Sequence, residues 1–484
     1  MNIAISNFQK FAVILTVAIM TACGGGSSGG GGTPATPTTP TTPTTPTPPV
    51  ATGSTTRSVT PAGLPMGVPG CSMEQKLGGF TDGSLEIKDA TWLQVVGQKV
   101  DDSAAAASDK TLLAAGKEAR IRVDVTAAGT GTALPADAKL QLAWADPGGV
   151  TCEEFTMTSA SAAAPTSVDY RTLDKSYVAT IPADKLKEGT ISYQIVVHAA
   201  DSAAAGKLYR QGRVGVAPAI TDKIVIYPIT FDGQTGSLPS TAEIKRLILR
   251  TMPHADVTVT MAPAVTLTTL TKANGVNRGS YYEFTDDQMK SAVSDLATKC
   301  GIDYPVPMAN ESGEIDPSWG PWPLRSKVER CFGIYPSNVR FTEHEGLGQL
   351  ANRVLLAPSF SSTDNLSVSG PYGSDWLSRG ALVMLHEYGH ILGLGHAKCG
   401  TTEYLDSWDG NYRLYGSGRL GSVAMGFDTR DGITPYYFAD TTGTEFADMM
   451  SYCRKKWTSD RGFRAIIDYL GYYDYDPRGG YPWL

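Results

Sequence analysis

Between residues 71 and 217 the apolar positions recur at every second residue. Ile121, Val123 and Val125 alternate with Arg120, Arg122 and Asp124; Leu140, Leu142 and Trp144 repeat the pattern, as do Ile191, Tyr193, Ile195 and Val197. A period of two predicts strands with one buried and one polar face. Turn-forming segments such as Asp146-Pro147-Gly148-Gly149 separate them. Residues 71–217 are therefore expected to form a β-sandwich.

After Ile220 the period changes. Ile224 to Thr230 and Val257 to Met261 read as strands, with a helix from about Thr241 to Arg250 between them. Thr285 to Gln288 has capping-box spacing, and Met289, Ala292, Val293, Leu296 and Ala297 follow at helical intervals until Gly301. Val354 to Ala357 is a further short strand. Alternating helices and strands predict an α/β domain over 218–484. His254 is expected to end a helix or turn, and His344-Glu345 to lie on the surface.

The candidate chemistry sits in residues 386–396, which read His-Glu-Tyr-Gly-His-Ile-Leu-Gly-Leu-Gly-His. A helix starting near Ser374 or Asp375 and running to Leu392 would project His386 and His390 from one face, because they are four residues apart. Gly393 tolerates positive φ and lets the chain turn sharply, so that His396 can return as a third ligand. Three imidazoles leave one tetrahedral position open, the arrangement of a catalytic rather than a structural Zn2+. Glu387, one residue from the first ligand, stands beside the ion, where it can accept the proton of an attacking water.

The pattern HExxHxxGxxH resembles the metzincin clan of zinc endopeptidases. That resemblance implies a methionine turn beneath the metal. Asp448-Met449-Met450-Ser451-Tyr452-Cys453 is similar to its Met-Ser-Tyr form, with Met450 under the ion and Tyr452 positioned to stabilise the oxyanion. Val423-Ala424-Met425-Gly426 is the competing segment. The resemblance, to bacterial secreted and lipoprotein metallopeptidases, also implies a Cys399–Cys453 bridge between the third-ligand loop and this turn. The run from Ile181 through Gly189 to Tyr193 resembles a corner of immunoglobulin-like modules. The expected fold is therefore an α/β metzincin-like zinc peptidase domain preceded by an immunoglobulin-like β-sandwich.

The N-terminus adds location. Phe11 to Met20 is an apolar stretch of ten residues after Lys10, which suits a signal peptide over 1–22 and is short for a membrane span. Met20-Thr21-Ala22-Cys23 resembles a bacterial lipobox, which implies acylation of Cys23 and a membrane anchor. Residues 23–70 would be the anchor and a tether, Gly/Ser-rich through Gly32 and Thr/Pro-rich from Thr33 to Pro49. The expectation is an exported cell-surface or outer-membrane lipoprotein, or one released to the medium.

An exported chain can form disulfides. Apart from Cys23, six cysteines remain, and they allow fifteen pairings. Cys71–Cys152, Cys300–Cys331 and Cys399–Cys453 is the preferred one. A net charge of −7 without a basic run argues against a nucleic-acid partner. The expected partner is a protein or glycoprotein substrate, and the oligomeric state stays open. Two other readings stand beside the peptidase: a surface adhesin with the zinc domain as scaffold, and a prodomain over 71–217.

Overall fold

Alternating residues form stable sheet when their apolar face has a partner to bury it. The computed structural model describes residues 85–100, 111–146, 149–169, 173–198, 207–301, 329–342, 344–349, 353–360, 379–397, 425–430, 434–439, 447–451, 456–467 and 469–470. The signal peptide, Cys23, the tether, Cys71, Cys399, Tyr452 and Cys453 lie outside them.

The first part consists of two sheets. One runs in the order Thr434–Ala439, Met425–Arg430, Val96–Lys99, Leu85–Gln94, Ala119–Ala127, Tyr177–Ile181. The other runs Leu112–Ala114, Lys207–Ala217, Gly189–His198, Ala138–Asp146, Gly149–Met157. Ile121, Val123, Val125, Leu140, Leu142, Ile191, Tyr193, Ile195 and Val197 from the two sheets meet in one core, as their alternation requires. The opposite face of Ala119–Ala127 differs from expectation, since Arg122 and Asp124 are buried too. The Asp169 carbonyl accepts from Arg122 Nη2 at 2.8 Å, and Ser176 Oγ donates to Asp124 at 2.6 Å. These groups take the place of water.

Two strands of the first sheet come from late in the chain. Met425–Arg430 pairs antiparallel with Val96–Lys99, placing Gly426 opposite Val96. Trp457 Nε1 donates to the Val95 carbonyl at 2.6 Å, and Val95, Val96, Ala114 and Ala217 share a core with the α/β part. The two parts thus belong to one compact unit.

The α/β part is a five-stranded sheet in the order Asp256–Met261, Thr221–Pro228, Glu329–Tyr335, Val354–Pro358, Leu347–Gln349. The first four strands are parallel and the last is antiparallel. Helix α1 (Thr241–Thr251) carries a capping box from Ser240 and Glu243. Helix α2 (Asp286–Lys299) carries one from Thr285 and Gln288, and Met289, Ala292, Val293, Leu296 and Ala297 are its buried residues. Cys300, the C-cap of α2, is bonded to Cys331 in the central strand. By loop length this bridge contributes about 3–4 kcal/mol in the entropic account. Cys152 is also disulfide-bonded; its expected partner, Cys71, is outside the described residues. Helix α3 (Arg379–Ile391) packs on Val354–Pro358 and Leu347–Gln349, and α4 (Asp460–Ile467) follows near the end of the described residues. Among the described residues no helix is long and apolar enough to cross a membrane.

Candidate metal centre

Helix α3 turns Ala381, Met384, Leu385, Tyr388 and Ile391 into the core, an i, i+3/i+4 spacing that covers one side of a helix. His386 and His390 stand on another side. The helix ends in a Schellman motif: Leu394 N donates to the Gly389 carbonyl and Gly393 N to that of His390. Gly393 has φ +85°, the left-handed conformation the sequence required there, and the chain turns back to bring in His396.

The three imidazoles converge. Their candidate ligand atoms all lie within 4.8 Å of one another, and among the described residues they are the cluster that could hold a metal ion. His390 Nε2 and His396 Nε2 are 3.0 Å apart. Two nitrogens bound to one tetrahedral zinc at about 2.0–2.1 Å are separated by roughly 3.3 Å. His386 Nδ1 donates to the Met449 carbonyl at 3.0 Å, and His390 Nδ1 to the Leu394 carbonyl at 2.9 Å. In the neutral ring this leaves Nε2 with its lone pair, the tautomer a metal ligand needs. The donor set and the spacing fit a metal ion, and imidazole nitrogens suit zinc, copper, iron and nickel alike.

Of the two methionine segments, Met449–Ser451 lies against α3. Met450 is fully buried, and a β-carbon on Gly389 would sit 2.3 Å from its sulfur. The Met450 carbonyl accepts from Ala397 N at 3.1 Å, next to the third histidine. Met450 N donates to Asp448 Oδ1 at 2.7 Å, which shapes the turn. One short segment thus holds His386 through its Met449 carbonyl and the His396 turn through the next. Met425 lies in the strand paired with Val96–Lys99.

Glu387 is buried and faces the edge of the sheet. A β-carbon on Gly346 would be 2.7 Å from Glu387 Oε1, and one on Gly348 would be 2.4 Å from the Glu387 carbonyl. Only glycine permits the edge strand Leu347–Gln349 to come this close. Tyr335 Oη donates to the Glu345 carbonyl at 2.5 Å and fixes the approach to that strand. Burial raises the Tyr335 hydroxyl above its usual range, so it stays a neutral donor. Gly346 and Gly348 were missed in the sequence; the Glu-Gly-Leu-Gly spacing beside a short strand was the available signal.

Glu345 is exposed, as expected of a surface segment. His344 is partly covered and its Nδ1 lies 2.6 Å from Asp286 Oδ1 at the start of α2. His254 does follow α1, but it is completely buried beneath α3. Tyr452, Cys399 and Cys453 lie outside the described residues.

Neither a protein-family model nor a curated protein matches this chain. A solved structure of a polysaccharide deacetylase from Bacillus cereus aligns with 9% identity over 72% of this chain and 95% of that one, at a TM-score of 0.13. A likeness of that size carries no argument about fold or function.

Proposed function

We propose that this protein is an exported zinc endopeptidase of the metzincin type, acting on extracellular proteins or glycoproteins. The observation that carries this reading is the convergence of His386, His390 and His396, with Glu387 next in sequence to the first of them. His386, His390 and His396 would hold the zinc ion, which would supply Lewis acidity toward water and a carbonyl oxygen.

The remaining steps belong to the chain's own groups. Glu387 accepts a proton from the attacking water and returns it to the leaving amine as the carbon–nitrogen bond breaks. The Met449 and Leu394 carbonyls hold the two helical imidazoles in the ligand tautomer. Tyr452, two residues after Met450, is assigned to the oxyanion by its place in the Met-Ser-Tyr segment. Leu347–Gln349 is the last strand of its sheet and lies against Glu387, so an extended peptide can add to it by backbone hydrogen bonding. The signal-like N-terminus and Cys23 support export and lipid anchoring, and the Thr/Pro tether supports work at a distance from the membrane.

The test is incubation of the full chain with unfolded proteins and mucin-like glycoproteins, with zinc, with a chelator, and after zinc is restored. Cleavage lost on chelation and regained with zinc is the expected result. No cleavage of any substrate by the zinc-loaded protein would count against a peptidase.

A further inference from the structure

Tyr388 is the middle residue of the motif and the one whose role the histidine pattern does not explain. Successive helical residues are about 100° apart, so Tyr388 points away from His386 and His390. Its side chain goes through the core side of α3 and ends in a buried polar group supplied by three separate elements. Tyr388 Oη donates to Asp222 Oδ2 at 2.6 Å, and His254 Nε2 lies 2.9 Å from the same hydroxyl oxygen. Because the Tyr388 proton is given to Asp222, His254 is the donor in the second bond. Asp222 also receives Arg330 Nε, and Arg330 Nη1 reaches the Ile391 carbonyl in the last turn of α3 at 3.5 Å. The ring itself is clamped, stacked on His254 at 5.7 Å and edge-on to Phe332 at 5.3 Å.

Asp222 and Arg330 belong to adjacent parallel strands, Thr221–Pro228 and Glu329–Tyr335, and His254 to the loop after α1. The group also reaches the sandwich, where Lys117 Nζ donates to the Leu249 carbonyl and lies 3.4 Å from that of His254. The anchor is therefore part of the rigid sheet. A helix with polar contacts on only one side can roll about its axis. A roll on the order of ten degrees moves ring nitrogens by enough to spoil a metal site, which tolerates displacements of about 0.5 Å. Anchors on opposite sides, the Met449 carbonyl on His386 and Asp222 on Tyr388, remove that freedom.

We propose that Tyr388, held by Asp222 and His254, is a positioning residue that sets the rotation of α3 and so the convergence of His386, His390 and His396. The proposal rests on the metal-site reading above and adds the source of its geometry. The experiment uses the full-length protein with Tyr388→Phe, and with His254→Gln, which leaves the Asp222–Arg330 pair in place. Zinc affinity is read by chelator competition, site geometry by the visible spectrum of the Co2+-substituted protein, and folding by thermal unfolding of the chelated form.

Zinc binding about tenfold weaker than wild type, with shifted Co2+ bands and cooperative unfolding retained, is the expected result for Tyr388→Phe. Should that variant not fold, the same readings on His254→Gln decide. Superimposable Co2+ spectra and unchanged zinc affinity, even with a lowered melting temperature, would overturn the positioning role and leave only a structural one. A wild-type protein without zinc affinity would instead overturn the site reading itself.

Discussion

Among the described residues each part of this protein buries an arginine–aspartate pair, and the two pairs are held in opposite ways. In the sandwich, Arg122 and Asp124 have side chains 1% and 5% exposed; beneath α3, Arg330 and Asp222 are 1% and 0% exposed. Burial raises the Asp124 carboxyl, and Arg122 with Ser176 only partly offsets it, so Asp124 stays above the usual carboxylate range. Both of those donors use Oδ1, while Oδ2 has no hydrogen-bond partner. Burial also acts to raise Asp222, but the Arg330 charge, His254 and the Tyr388 hydroxyl overcome it and hold Asp222 low. Similar burial thus shifts the two carboxyls in opposite directions because the number and placement of donors differ. Asp124 ties a strand to the segment that covers it; Asp222 anchors α3 through Tyr388.

The largest expected effect comes from breaking the stronger member of this comparison. Asp222→Asn should cost about 3–5 kcal/mol in urea unfolding of the metal-free protein, because it leaves Arg330 as an uncompensated buried charge. A cost near that of Asp124→Asn would remove the distinction drawn between the pairs.

An intermediate effect is expected on the opposite side of α3. Gly389→Ala would drive a methyl group into the Met450 sulfur, and overpacking of this kind costs about 1–3 kcal/mol. Zinc affinity, followed by chelator competition, should fall with it, since the same turn holds His386. Wild-type affinity in this variant would show that the Met450 turn supports the fold and not the ligands.

Asp124→Asn should cost less than Asp222→Asn, because Asp124 is held by fewer donors and Arg122 keeps the Asp169 carbonyl, and it should change the pH profile. The raised carboxyl binds its proton more tightly in the folded chain, so its contribution opposes folding at neutral pH. That opposition is relieved as pH falls through the folded value toward the unfolded value of about 3.9. Asp222, held low, contributes stability that is present above about 3.9 and lost as pH falls through its folded value. The two windows lie on opposite sides of the unfolded value. Urea unfolding across this range should show the Asn variant losing the upper slope and keeping the lower one.

The local features of this architecture were legible and the distant ones were not. The α2 cap at Thr285, the periodic core of that helix and the Gly393 turn each depend on residues within a few positions. The histidine triad could be read for the same reason, since one helical turn and one glycine bring its members together. The Cys300–Cys331 bridge was the preferred pairing and is present. By contrast, Trp457 donates to a carbonyl 362 residues away, and no local period encodes such a contact. Arg122 and Asp124 occupied polar positions of an alternating strand, which look the same in sequence whether water or protein covers them. His254 looked like a helix terminator because a lone histidine does not announce its partners. Asp222 and Arg330, charges at the heads of apolar parallel strands, were the available sign that this face needed an ion pair.

Glu387→Ala compared with wild type, both measured for zinc content and for cleavage of the same substrate panel, tests the central claim most directly. The account predicts full zinc content in both proteins and turnover about 10²–10⁴-fold lower in the variant. Equal turnover in the two, with zinc bound in both, would contradict the assignment of Glu387 as the group that accepts the water proton.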